Sequence, residues 1–316
     1  MTDPTTPRWT AWAGEASFDE VLFVEMALHD GRRLWLRHTL RADQDVDAAG
    51  RRVWAVLSDA TSGAVVHLRR APLGEPDDGG SWRAPDAFLS AQAAYGRCGD
   101  LAWDLAFANA TRGHTHVPRW MTTLGLGRTY ASRALRVDVR GTLDTGRGPQ
   151  PITGRGVIGH IHGRRNRTAA WTWAWASEFA ESEATFEGLT ARIGSPRAPA
   201  LTSLVLDLDG ERHAFSDTTS LLTTWSAFGH DGWRAQASRR GVRLTVEARS
   251  GGPASTLRYD DPPNAPILCT NAAGAWLRLR LHRPGKPPHT LTTTTATLEF
   301  AQRAAADAPA GGEARN

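Results

Sequence analysis

Lysine is all but missing from this chain, Lys286 being the only one among 37 basic residues. The rest is arginine, spread along the sequence with doublets at Arg32-Arg33, Arg51-Arg52, Arg69-Arg70, Arg164-Arg165 and Arg239-Arg240. A nucleic-acid surface needs its cations clustered on one face, and the net charge is only +4, so no nucleic-acid partner is expected. Cysteine is nearly as scarce. Cys98 and Cys269 are the only two, too few for a thiolate metal site and suited to reduced thiols in the cytoplasm. No run approaches the ~20 apolar residues of a membrane helix, and no charged start followed by an apolar stretch marks a secretory signal. The expectation is a cytoplasmic protein with no integral membrane segment. A G-x-S-x-G nucleophile elbow is absent too. Tyrosine numbers three against thirteen tryptophans. So many exposed indoles would be a solubility liability, so many of them must be buried or line a cavity.

Helical periodicity is also rare. Ala87 to Ala94 is one weak helical candidate, and the glycine-broken stretch from Met121 to Arg128 reads as a loop. Short alternating strands dominate instead. Val21–Met26 and Leu34–Leu40 flank an Asp30-Gly31 turn as a hairpin, and Val53–Leu57 and Ala64–Leu68 form the next pair. Further strands are read at Leu101–Phe107, Leu135–Gly141, Ala184–Arg192, Leu201–Leu208, Leu244–Ala248, Ala275–Leu281 and Thr293–Phe300. Many evenly spaced strands with little helix make an all-β sandwich or barrel protein. Gly146 to Pro151 is the best internal boundary, giving an N-terminal half over 9–148 and a C-terminal half over 149–302. Residues 1–8 and 303–316 read as disordered tails.

The densest signal is Gly159-His160-Ile161-His162-Gly163-Arg164, a polar turn, then Trp171-Thr172-Trp173-Ala174-Trp175-Ala176-Ser177-Glu178. On a strand the three tryptophans share one face. With His160, His162, Arg164, Asn166 and Glu178 nearby, that wall fits an apolar pocket holding a few polar groups, the usual make-up of a ligand site. Gly154-Arg155-Gly156-Val157-Ile158-Gly159 matches the dinucleotide fingerprint, but no helix pattern follows, so its glycines are assigned to tight backbone geometry. His114-Thr115-His116 and His160-Ile161-His162 each put two histidines on one strand face. No glutamate follows either pair at the spacing of barrel metalloenzymes, so pocket or hydrogen-bonding roles are preferred and no metal ligand is assigned.

The order G-H-x-x-G, polar turn, W-x-W and an aromatic at Phe179 resembles the lipocalin-like superfamily of tocopherol cyclases, hydroxyneurosporene synthases (carotenoid 1,2-hydratases) and lipocalin-like Diels-Alderases. Leu34–Leu40, Gly99–Leu105, Phe186–Leu189, Asp261–Asn271 and Ala296–Phe300 are similar to its other segments, in the right order. His162, Trp175 and Ser177 stand where relatives usually have Trp, Gln or His, and Asn, which leaves the substrate open. The resemblance implies two lipocalin-like antiparallel β-barrel halves packed together. It also implies cofactor-independent, acid-catalysed hydration or cyclisation of an isoprenoid-like or polyketide-like substrate, such as a carotenoid. Indole faces can stabilise a carbocation, and a carboxylic acid or imidazolium can supply the proton. The expected catalytic groups are Asp104, His160 and Glu178. Trp103, His162, Arg164, Trp171, Trp173, Trp175, Ser177 and Trp233 are expected to line the pocket. A non-catalytic lipid or pigment carrier is the alternative reading, and a metal enzyme built on the H-x-H pairs is the second. The expected partner is a hydrophobic small molecule, and the oligomeric state is open.

Overall fold

The computed structural model describes residues 10–42, 49–59, 63–72, 81–84, 86–164, 168–251, 254–261 and 264–304. Of the expected tails at 1–8 and 303–316, residues 1–8 and 305–316 fall outside the described residues, as does Asn166, whereas Arg303 ends a strand and the Ala304 amide donates to the Pro266 carbonyl.

Two antiparallel sheets follow one plan. In the first, β1 (Phe18–Leu28), β2 (Arg33–Ala42), β3 (Gly50–Asp59) and β4 (Gly63–Ala71) make one meander. A second meander comprises β5 (Trp82–Ala84), β6 (Ala87–Leu89), β7 (Ala93–Cys98) and β8 (Leu101–Ala108). After β9 (His114–Thr115) and helix α1 (Arg119–Thr123) come the long strands β10 (Thr129–Asp144) and β11 (Pro149–Arg164). They join the meanders in the order β4-β3-β2-β1-β11-β10-β8-β7-β6-β5, with β9 pairing β10 off that path.

The second sheet opens with β12 (Thr168–Ala176), β13 (Ala184–Ile193), β14 (Ala200–Leu208) and β15 (Glu211–Phe215). Helix α2 (Thr218–Thr223) leads to β16 (Trp225–Gly229), β17 (Gly232–Arg239) and β18 (Val242–Arg249). Strand β19 (Ala254–Asp261) precedes β20 (Asn264–His282) and β21 (His289–Arg303). The order is β15-β14-β13-β12-β21-β20-β18-β17-β16, with β19 pairing β20 off the path as β9 pairs β10. In each sheet the ends curl toward each other, β4 meeting β7 and β15 meeting β17. The result is the expected pair of lipocalin-like barrels.

Strand alternation sends residues to two different destinations. Leu22, Val24 and Met26 of β1 fill the first barrel with Trp82 and Trp103, while Val21 and Phe23 join a core between the barrels. Phe186, Leu206, Trp233 and Leu277 fill the second barrel. Each large apolar side chain so buried contributes about 1.5–3 kcal/mol. Both barrel interiors are packed with side chains, so ligand space lies elsewhere.

Three readings are corrected here. Ala87 to Ala94 is not helical: Ala87 and Leu89 are buried on one side of β6, and the chain turns at Ser90 into β7. The Ser90 hydroxyl accepts from the Gln92 and Ala93 amides at 3.3 and 3.2 Å, holding that turn. The Met121–Arg128 stretch starts inside α1 before Gly125, at φ +66°, breaks it. The turn at Gly146 to Gly148 connects β10 and β11 of the same sheet, and the first strand of the second sheet, β12, starts at Thr168. Gly154, Gly156 and Gly159 all lie within β11, with no helix behind them. A Cβ on Gly159 would sit 2.1 Å from the Phe23 ring. The glycine therefore lets Phe23 lie across β11 and meet Trp173 edge-on, with ring centroids 5.7 Å apart.

Candidate active site between the barrels

The tryptophan wall does line a pocket, but on the outer face of the second barrel where it packs on the first. Trp171 and Trp173 line a cavity of about 1170 Å³, counting its open mouth. Val21, Phe23 and Trp35 of the first barrel face them, and Met121 of α1 and Leu221 of α2 cover one side. The indole N–H of Trp120 on α1 donates to the Thr218 hydroxyl of α2 at 2.8 Å, tying the two short helices together. Trp175 is fully buried and donates its indole N–H to the Leu135 carbonyl at 2.8 Å, so it is a packing residue of the interface.

The other expected residues are dispersed. Asp104 is exposed on β8, since the alternation that buries Trp103 and Leu105 points it outward. Trp103 and Trp233 fill separate barrel interiors. Arg164 is exposed and Glu178 half-buried, and neither lines the cavity. Ser177 is buried away from it. His160 and His162 point to the opposite face of β11 from Ile161, which does line the cavity. They border a separate groove with His114 and Arg133. His160 Nε2 lies 2.6 Å from Glu20 Oε1, and Arg133 Nη2 is 2.8 Å from His160 Nδ1. Burial lowers the proton affinity of His160 despite the Glu20 contact, which does not suit it to donate a proton. Strand β11 ends in one sheet and β12 begins in the other, so sequence neighbours across 165–167 do not converge.

Two carboxylates that the sequence reading passed over flank the wall. Trp171 donates its indole N–H to Glu299, which lines the cavity. Burial pushes the Glu299 carboxyl up toward its protonated form, and the hydrogen bond from Trp171 and the Arg37 charge only partly offset this. Trp173 donates to Glu187 Oε1 at 2.9 Å. Glu187 also accepts from Tyr130 at 3.1 Å and from Ser132 at 2.6 Å, and its Oε2 is 3.0 Å from His116 Nε2. Burial alone would raise its pKa, but His116 and the surrounding hydrogen bonds outweigh it and hold Glu187 at about 2. His116 Nδ1 lies 2.9 Å from Ser203 Oγ, and both residues line the cavity. A Ser203–His116–Glu187 relay therefore faces the same apolar space as Glu299. Another buried carboxyl, Glu25, is pushed to about 8 by burial and accepts from Thr297 at 3.0 Å.

His116 meets Ser203 and Glu187, and His160 meets Arg133 and Glu20. Among the described residues no group of three or more His, Cys, Asp or Glu side chains gathers as a metal site. Cys98 and Cys269 are free and buried, and no described helix is long and apolar enough to cross a membrane.

No family model matches this sequence, and no curated protein matches it. Its fold does match solved structures. CghA aligns with a TM-score of 0.61 at 9% identity, covering 96% of each chain. A Nitrosomonas europaea protein designated AttH aligns at 0.58 and 10% identity, over 90% of this chain and 92% of that one. Kievitone hydratase from Nectria haematococca aligns at 0.51 and 8% identity, over 90% and 88%. The chain therefore has the lipocalin-like fold of these proteins, two antiparallel barrels packed against each other.

Proposed function

We propose that this protein binds an isoprenoid-like or polyketide-like substrate between its barrels and hydrates or cyclises it by acid catalysis, without a cofactor. One observation carries the reading: Glu299, lining the apolar cavity, is shifted toward its protonated form, while Glu187, buried behind the cavity and linked to it through His116 and Ser203, is held ionised, and each accepts from a tryptophan of the same wall. Environments that separate two carboxyl pKa values in this way assign an acid and a base. Glu299 transfers its proton to an alkene carbon, and the resulting cation faces the Trp171 and Trp173 rings. A water molecule adds to the cation, giving up a proton to Ser203 Oγ as the Ser203 proton passes to His116, which Glu187 supports. In ring closure an internal π bond attacks instead, and the same relay takes the proton lost from carbon. His116 then releases its proton to solvent, and solvent reprotonates Glu299. The shared fold with a hydratase is consistent with this chemistry.

The test starts with native mass spectrometry and organic extraction of the purified protein, followed by turnover of the extracted compound class in D₂O. Product carrying one carbon-bound deuterium is expected from the wild type, and Glu299→Gln should bind the compound but lose turnover by at least about a hundredfold, the usual reach of general acid catalysis. Binding without turnover in both proteins would make this a carrier.

A further inference from the structure

We propose that the ligand of the inter-barrel cavity carries an oxyanion, a carboxylate or enolate, gripped by Arg37 and Arg128. The inference rests on the pocket reading above and names the class of molecule that fits it. Both arginines line the cavity and also the polar cleft that continues from it past Asp19, Arg41 and Asp261. The Arg37 guanidinium lies over the Tyr259 ring at 4.1 Å and near Trp35 at 5.6 Å. Rings occupy a guanidinium's faces and leave its N–H edges free for hydrogen bonds. Among the described residues, Arg37 Nε has no partner, and neither do Nε and Nη2 of Arg128. Nε and Nη2 together form an edge that can take a carboxylate through two parallel bonds.

The nearby carboxylates neutralise this pair only in part. Asp19 is 3.9 Å from Arg128, at the outer limit of an ion pair. Asp261 is held by Arg303 at 2.7 Å and Arg41 at 3.4 Å, and Glu20 is turned to the His160 ring at 2.6 Å. Glu299, the carboxyl inside the cavity, is pushed toward its neutral form by burial. Burial, and to a lesser degree the Arg37 charge, act against the positive charge of Arg128, and Asp19, Asp261 and Glu20 offset this only in part. Two partly buried cations that share only a distant carboxylate, Asp19 at 3.9 Å, are costly, and a ligand oxyanion would offset that cost. An uncharged hydrocarbon would leave both guanidiniums unmatched. The fitting molecule has an apolar body under Trp171 and Trp173 and an acidic end at the arginines.

cis-Parinaric acid and its methyl ester, titrated into the full chain and read by energy transfer from tryptophan, test this directly. The acid should bind the wild type about tenfold or more tightly than the ester, the scale of one charge-assisted hydrogen bond. Arg37→Met and Arg128→Met should each shrink that ratio, and Trp171→Ala should weaken both ligands. Equal binding of acid and ester by the wild type overturns the proposal, needs no variant and leaves the pocket reading standing. Binding that Trp171→Ala does not weaken, or no binding of either ligand, overturns the pocket reading and this inference together.

Discussion

His38 is fully buried in the first barrel, edge-on to Trp82 with ring centroids 4.4 Å apart. Neither ring nitrogen has a hydrogen-bond partner among the described residues, and burial lowers its pKa to about 3. The unfolded chain takes up a proton near 6.5 that the folded chain refuses, so this contribution is intact above 6.5 and is lost as pH falls toward 3. At pH 5 the loss is about 2 kcal/mol. His38→Phe should therefore raise the melting temperature more at pH 5 than at pH 8, and an equal change at both values would count against a neutral buried His38. Nothing around Leu36-Arg37-His38-Thr39 distinguishes this histidine from a pocket one, because its environment comes from Trp82, on a strand far along the chain. Glu187 and Glu299 were illegible for a related reason. Each sits in an alternating strand at a position that faces away from its own barrel. Such a position reads as solvent-facing until a second barrel covers it.

Strand β12 holds the part of the site that was legible, and also its limit. Its alternation places Trp171, Trp173 and Trp175 on one face, with Thr172, Ala174 and Ala176 on the other. The sequence cannot say which face looks into a barrel. Small Ala174 and Ala176 fit the crowded interior, and the large indoles go to the interface. The three indoles then differ by depth along the strand. Trp175 has no exposure, whereas Trp171 is only half-buried at the cavity. Trp175→Ala should cost about 3–5 kcal/mol, the range for deleting a buried aromatic. Trp171→Ala should cost clearly less stability while weakening parinarate binding. Urea denaturation of the two variants separates the effects, and similar losses in both would remove the distinction between packing and cavity positions.

Glu187 is the most connected of the polar anchors described between the two barrels. Glu187 of the second sheet accepts from Tyr130 and Ser132 of the first and from Trp173 of its own, and it meets His116 at 3.0 Å. Arg212 reaches across to the Gly113 carbonyl at 2.7 Å, and Arg41 to the Asp260 carbonyl at 3.2 Å. With an apolar core of its own between the barrels, the molecule should unfold in one cooperative transition, with tryptophan fluorescence and far-ultraviolet circular dichroism coinciding. Removing the carboxylate strands its donors in a dry interface. Glu187→Leu should therefore cost about 3–5 kcal/mol, the range for breaking a buried charged pair, and should split the transition by uncoupling the barrels. Because the folded pKa of Glu187 is about 2, its contribution is complete above the ordinary carboxylate value of 4.5 and falls as pH drops toward 2. The destabilisation by Glu187→Leu should therefore shrink in acid. A single transition in the variant, with an unchanged cost from pH 7 to pH 3, would mean that the apolar contacts alone hold the barrels together.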